Sequence, residues 1–593
     1  MTSENSTHHR LCLLAAAVAI ACNALGNAAW AQAATPPNAG TILQTLPPPA
    51  TQRGSDPPAL DASGMQAQRS SADAGPRVLV KSFVIRGNTS IATPELMTAL
   101  KPFENRELTI GEIADAAAAV QDRYRSADYF VAQAFVPSQD ISGGSVEIRV
   151  FEGVIGTAKG VLVPGARVSQ ERVDQYLSLL PKGAVITDKS VERPLLLLND
   201  LPGTKVHSVL KPGTEIGTAD LLVEVGGEER RPVGVSVYVD NFGSRVTGET
   251  RVGTDIEGRG LLGFGELLSA TLFRAGDLTT VGRVGASVPV GRLGTKVSVG
   301  VTALSYHVAD QGGSSLAPVK PGKGDALVGS VLAQHPLTRS RNTNLMLLAG
   351  LDYKRVSDLQ QADSLPIERR ITSLRLGVTG DFRDQLGGGA LNSYSLSAYF
   401  GKNQFTNAVT LANDQAVGND NTAGNFSRFQ YEYQRLQSLQ MLAPVLSEAD
   451  SLYLSVRGQM SLSKNLDLSE KTSLGGPRGV RAYPVGAISG DDEVIFTAEL
   501  RHRVVDPAFK PFGGSFVISA FIDHGNAKLL HSPSPGRLVG NTSNLSAAGF
   551  GVSLVRKDNF EFRVDVASQI GSHDYVGGDN KNTRVWALLQ KWL

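Results

Sequence analysis

The sequence predicts two small α+β modules followed by a long antiparallel β-barrel that crosses a membrane with about 16 strands. Three observations lead there. Helical periodicity and strand alternation are interleaved twice between Val78 and about residue 228; beyond Arg231 the helical period stops and alternation continues to the C-terminus. In addition, no segment offers about 18 uninterrupted apolar residues, so helices do not span a bilayer and a closed barrel is the only spanning form left.

At 593 residues the chain requires several folding units. Its net charge of +1 gives no general electrostatic case for nucleic acid. With 41% apolar residues and 63 glycines it reads neither as disordered nor as a helical membrane protein, and the glycines point to many turns.

Residues 1–31 read as a signal peptide: His8, His9 and Arg10 precede the apolar run LCLLAAAVAIAC, and Ala29 to Ala31 supply small residues for cleavage. The apolar run is far short of the roughly 20 residues of an anchor. Ala19 disfavours a lipoprotein site at Cys22. Cys12 and Cys22 both lie in this segment, so cleavage at Ala31 removes thiol catalysis, disulfides and cysteine metal sites together. Residues 32–77 form a Pro-rich linker, with Asn38 to Leu46 (NAGTILQTL) able to make two turns of helix before the prolines stop it.

The first module spans 78–153. VKSFVIRGN alternates with Phe83 and Ile85 on one face, Pro94 opens a helix after Thr93, and Thr109 with Glu112 forms a capping box for a second helix. Two strands follow, FVAQAFVP and SVEIRVFEG. The second module, 154–228, has a helix after Ser169, a helical stretch in KSVERPLLLLND and a closing hairpin. Pro194 is expected at a break or helix start. From 229 to 593 the barrel begins with PVGVSVYVDN, where Val233, Val235, Val237 and Val239 share one face. In the last strand, Trp586 and Trp592 share a face and are expected near the lipid interfaces.

Chemistry-bearing motifs are absent. GRGLLG, Gly258 to Gly263, matches a dinucleotide fingerprint but has no following helix, so it reads as a turn. No phosphate loop, zinc-protease helix or nucleophile elbow occurs, and His524 beside Asp523 reads as structural. The reading is therefore not an enzyme, with no cofactor and no metal.

Several stretches resemble the outer-membrane transporters of two-partner secretion, the haemolysin secretion/activation (TpsB-type) family. FVIRGNTSI, YRSADYFVAQAFVPSQDISGGSVEIRVFEG and LLLLNDLPGTKVHSVLKPGTEIGTADLLVEV resemble its two periplasmic POTRA modules; VDNFGSRVTGETRVG and HPLTRSRNTNL resemble parts of its barrel. The resemblance implies a Gram-negative outer-membrane location with the POTRA modules in the periplasm, a 16-stranded barrel and a plug helix near Asn38 to Leu46. It also implies a protein-conducting, porin-like channel that exports a large haemolysin- or adhesin-type exoprotein captured by the POTRA modules. Membrane lipid and the barrel-assembly machinery are the other implied partners. The remaining alternatives are a barrel-assembly factor and a solute porin.

The same resemblance assigns a role to GGPRGVRAYPVG, Gly475 to Gly486. A loop around 465–492 folds into the lumen with Val480, Arg481, Ala482 and Tyr483 at its tip, and Ala482 replaces the family's usual glycine. The implied partner is Asp523 on the barrel wall, in AFIDHG with Phe521 and Gly525. Physics favours such a pair: an arginine in a narrow lumen keeps its proton, and at about 4 Å with an effective dielectric near 20 a carboxylate attracts it by roughly 4 kcal/mol before desolvation.

Overall fold

The computed structural model describes residues 32–33, 38–44, 59–61, 77–308, 322–359, 365–442, 449–505, 513–534, 540–571, 575–576 and 581–593; the expected leader lies outside them. From Val233 onward, sixteen antiparallel strands close into a barrel, each pairing with its sequence neighbour among the barrel strands. The first, Val233–Asp240, meets the last, Thr583–Trp592, from Ser236 opposite Trp592 to Asp240 opposite Leu588. The terminal Leu593 adds to this seam by donating its N–H to the Val235 carbonyl at 2.9 Å.

Alternation settles which side of each strand meets lipid. In Val233–Asp240 the valines at 233, 237 and 239 are exposed while Ser236 and Asp240 are buried inward. Phe550 and Val252, 65% and 61% exposed, belong to the same outward apolar band, as a lipid-facing wall requires. Strands such as Lys323–Arg339 and Ile367–Asp384, of 17 and 18 residues, are longer than the roughly 9 to 11 needed to cross, so they project beyond the bilayer.

The first module contains helices Thr93–Leu100 and Ile110–Ser126, the second closed by the reciprocal Thr109–Glu112 capping box. They cover a sheet in which Ser145–Phe151 lies between Ser82–Arg86 and Gln133–Phe135. Glu152, at its end, is buried and ties the sheet to the turn before the first helix and to the second helix. Its carboxylate accepts the N–H groups of Thr89 and Ser90, both at 2.6 Å, their hydroxyls, and the Tyr124 hydroxyl at 2.8 Å. Burial alone raises this carboxyl, but the Ser90 and Thr89 donors outweigh it and hold it at about 2, against an ordinary 4.5. A depressed carboxyl stabilises fully above its unfolded value and loses that contribution as pH falls through its folded one. Glu152→Gln is therefore expected to weaken residues 78–153 by roughly 2 kcal/mol at neutral pH, read as faster amide exchange in the full-length protein. Wild type should lose the corresponding protection only between about pH 4.5 and 2.

The second module adds a first strand, Val154–Leu162, parallel to Thr218–Gly227 and covered by helices Gln170–Leu177 and Asp188–Asn199. Pro194 sits inside the latter helix, not at its start or at a break. An internal proline costs about 3 kcal/mol. Four consecutive leucines, Leu195 to Leu198, are all buried, and each is worth roughly 1.5–3 kcal/mol, which outweighs that cost.

This module is fixed to the periplasmic turns of the barrel. Arg339 grips Asp200 through two bonds of 2.6 and 2.7 Å, and Arg193 donates to the Pro336 and Leu337 carbonyls. GRGLLG is such a turn: Phe264, just after it, bridges to Val168 of the module, and Glu266 accepts the Leu262 and Phe264 N–H groups.

Candidate functional site

Among the described residues, two segments occupy the barrel interior. One is the loop 462–491, between strands Asp450–Ser461 and Asp492–Val504. The other is a short helix, Ala39–Gln44.

The loop returns on itself through a small hairpin, Thr472 opposite Gly490 and Ser473 opposite Ser489. Its tip packs Leu474, Val480, Ala482, Tyr483, Ala487 and Ile488 against wall residues Ile495, Phe521, Ala527, Leu545, Ala547 and Ala567. Gly525 makes this approach possible: a Cβ there would lie 3.0 Å from both Leu474 and Val480 side chains. Ala482 is fully buried, and the positive-φ turns of the segment fall on Gly476 and Gly486, so alanine at 482 needs no left-handed backbone.

Arg481 is 3% exposed and forms a two-pronged pair with Asp523, Nε to Oδ2 at 2.8 Å and Nη2 to Oδ1 at 2.9 Å. Its backbone N–H also reaches Asp523 Oδ2, at 3.2 Å. The third nitrogen donates to Glu499 at 3.1 Å, and the guanidinium lies over the Phe521 ring, 3.2 Å from its centre. Behind these stand Arg501 on Glu499 and Arg563 on Asp565, the latter carboxylate 4.0 Å from Arg481. Three arginines thus face three carboxylates, and the buried charge is balanced. His524, next along the strand, bonds Ser546 at 2.8 Å, while Asp523 takes Thr497 and Arg481. Arg478 is an exposed side chain whose carbonyl accepts from Arg457.

Trp586 corrects the expectation of a lipid-interface position. It is 4% exposed and donates its Nε1–H to the Arg481 carbonyl at 2.6 Å, so this end of its face looks into the lumen. A buried indole N–H needs an acceptor, and the loop tip supplies one.

A second clamp, unmarked in the sequence reading, holds the loop base. Arg369 bridges Asp358 on its neighbouring strand and Asp467 in the loop, the latter at 2.7 Å. Lys354 and Arg428 converge on Glu470 at 2.6 and 2.9 Å. Lys471 pairs with Asp491 at 3.1 Å. The helix Ala39–Gln44 meets this clamp: the Ala39 N–H donates to Asp358 at 2.9 Å, and Ala39 and Ile42 pack with Phe273, Val281, Leu304, Tyr306 and Val356.

Comparison with known proteins bears directly on this architecture. Residues 78–153 match the model of the ShlB-type POTRA domain, and residues 217–553 that of the haemolysin secretion/activation protein ShlB/FhaC/HecB. The chain is 27% identical over 495 residues to the heme/hemopexin transporter protein HuxB of Haemophilus influenzae, covering 82% of each. A shorter match, 29% identical over 178 residues and 29% of each chain, is to the outer membrane transporter CdiB of Escherichia coli O6:K15:H31. Among solved structures, CdiB from Escherichia coli superposes with a TM-score of 0.66 at 20% identity, over 90% of this chain and 94% of that one. BamA from Haemophilus ducreyi, lacking its first three POTRA domains, gives 0.50 at 13% identity over 87% of this chain and all of that one. Because BamA shares the fold, fold alone does not fix the family; the family model, which covers more than half of the sequence, does. The chain belongs to the haemolysin secretion/activation protein family ShlB/FhaC/HecB, the outer-membrane transporters of two-partner secretion.

Proposed function

We propose that this transporter is a passive protein-conducting channel for one large exoprotein, organised as a leader (1–31), a linker bearing a plug helix (32–77), two POTRA modules (78–153 and 154–228) and a barrel (229–593). The POTRA modules capture the client as it emerges unfolded in the periplasm. Extended segments add to an exposed sheet edge through main-chain bonds, which tolerates many sequences. The helix Ala39–Gln44 plugs the resting pore, and the 462–491 loop is held at the wall by Arg481 and Asp523.

One observation carries this reading. Among the described residues the lumen is filled by a six-residue helix and a loop pinned by ion pairs, with no separate globular plug domain. Such segments are removable without unfolding the wall. The outward apolar band contacts lipid, and the barrel-assembly machinery inserts the chain through the strand Thr583–Trp592.

Deleting the gene tests the reading against its rivals. Loss of a large exoprotein from the medium, with the content of other outer-membrane barrels unchanged, is expected. A fall in barrel content would instead indicate an assembly factor, and altered solute uptake alone would indicate a porin.

A further inference from the structure

The outer wall carries a cluster of cations that neither the lumen nor the POTRA modules use. Strand Thr343–Leu359 starts at the periplasmic turn beside Arg341, which pairs with Glu192 of the second module at 3.2 Å, so its far end is extracellular. Leu347, Leu351 and Tyr353 are exposed along its outward face, while Val356 and Asp358, at the alternate positions, are buried toward the lumen. From Leu345 to Tyr353 is about nine residues, enough to cross the hydrocarbon. The next outward residue is Arg355.

The two following strands repeat this order. Ile367–Asp384 turns Leu376 and Leu374 outward and then, toward the outside, Thr372 and Arg370; Ala390–Phe405 turns Leu396 and Phe400 outward and then Lys402. Register brings the cations together: Arg355 lies directly opposite Arg370, and Lys402 is opposite Thr372, one outward position from Arg370. Like charges facing each other on one side of a sheet destabilise it. Nearby acids do not cancel them, because Glu368 reaches Arg355 only at 3.9 Å and Asp325, opposite Ser357, has Lys323 next along its own outward face. Among the described residues, the Arg370 and Lys402 side chains make no hydrogen bond or ion pair.

We infer that Arg355, Arg370 and Lys402 bind a phosphorylated lipid of the outer leaflet, its phosphate bridging the two arginines and its acyl chains lying along Leu351, Tyr353, Leu374 and Phe400. The cations begin where the apolar band ends in Tyr353 and Phe400, the level at which aromatic girdles meet headgroups. One phosphate accepts from two guanidinium forks at once, which turns their repulsion into a bridge. Free phosphate shares that chemistry but leaves the apolar half of the site unused. This site lies outside the channel reading and requires only the outer-membrane placement of the barrel. The lumen side of the first two strands carries Asp358 and Arg369, which hold the helix Ala39–Gln44 and the loop base. A lipid bridging Arg355 and Arg370 therefore staples the stretch of wall on which both rest.

The test needs no exported client, so its failure leaves the secretion reading standing. Full-length protein in non-ionic detergent is titrated with lipid A, with dephosphorylated lipid A and with inorganic phosphate, and binding is read as the rise in the midpoint of heat-modifiable migration. Lipid A is expected to raise the midpoint saturably, dephosphorylated lipid A to bind about tenfold more weakly or worse, and inorganic phosphate to do nothing at the same concentration. The triple variant Arg355→Gln, Arg370→Gln, Lys402→Gln is expected to fold and to lose about tenfold in lipid A affinity. Arg274→Gln, an outward cation already paired with Asp277 at 3.3 Å, should bind as wild type does. If the triple variant does not fold, Arg370→Gln alone decides, with a loss of roughly threefold expected. Unchanged affinity in the variant that decides would overturn the inference, as would equal binding of the dephosphorylated lipid, a response to inorganic phosphate alone, or the same loss in Arg274→Gln.

Discussion

Replacing Arg481 with alanine is expected to cut secretion of the exported protein at least tenfold while leaving the barrel folded and inserted; Asp523→Ala is expected to do the same less severely. Arg481→Ala leaves Asp523, Glu499 and Asp565 around a vacated cation site, with only Arg501 and Arg563 to balance them. Asp523→Ala removes the two-pronged partner, but Glu499 still accepts from Arg481. Breaking a buried pair by removing one member costs about 3–5 kcal/mol. That is more than two decades in the ratio of anchored to released loop. A released loop is a mobile chain in the same lumen the client must thread. Wall strands keep their ladders either way, since those ladders pair wall residues with one another. Arg481→Lys keeps the charge but loses the planar fork and its stacking on Phe521, so an intermediate loss is expected. Secreted client in the medium and heat-modifiable migration of the barrel read the two effects separately. Normal secretion by both alanine variants would remove the anchor role.

The barrel was legible because lipid imposes a simple rule. A strand such as Val233–Asp240 must show apolar residues on one side, and that pattern survives without any knowledge of neighbours. Where a second demand competed, the pattern misled. Trp586 looked like an interfacial residue, yet its N–H finds its acceptor on the Arg481 carbonyl, far away in sequence. Pro194 looked like a helix breaker, yet the burial of Leu195 to Leu198 outweighs the lost hydrogen bond. Local signals cannot register partners of that kind.

The candidate site divides in the same way. Arg481 and Asp523 were reachable through resemblance, because the tip and the wall strand each have a recognisable local pattern. The clamp at the loop base was not, since Lys354, Arg369 and Arg428 come from three strands and meet Asp467 and Glu470 only in the closed barrel. One signal was present and unused. Glu499 with Arg501, and Arg563 with Asp565, place opposite charges two residues apart on the face away from lipid. Charged pairs at that spacing in a barrel strand point into the lumen, where they need partners.

Unseating the helix Ala39–Gln44 should raise resting conductance without abolishing secretion, and two substitutions on different surfaces test this. Asp358 is almost fully buried and serves three donors: the Ala39 N–H, the Tyr306 hydroxyl and Arg369. Asp358→Ala leaves the first turn of the helix without its acceptor, while Arg369 keeps Asp467 and with it the loop base. A hydrogen bond to a charged group is worth about 2 kcal/mol, so the open-to-plugged ratio should rise roughly 30-fold. Gly40→Val acts from the opposite side. A Cβ at residue 40 would stand 2.6 Å from the Ser469 nitrogen and 2.9 Å from the Leu468 carbonyl carbon, both backbone atoms of the loop. Backbone held by the Asp467 and Glu470 clamps cannot yield cheaply, so the helix must leave its seat. Neither substitution removes a main-chain hydrogen bond between wall strands, and the barrel should fold normally. If the helix is the resting seal, both variants show frequent large openings in planar bilayers. Closed traces from both would mean that the seal lies elsewhere in the lumen, and the loop would be its only remaining described candidate.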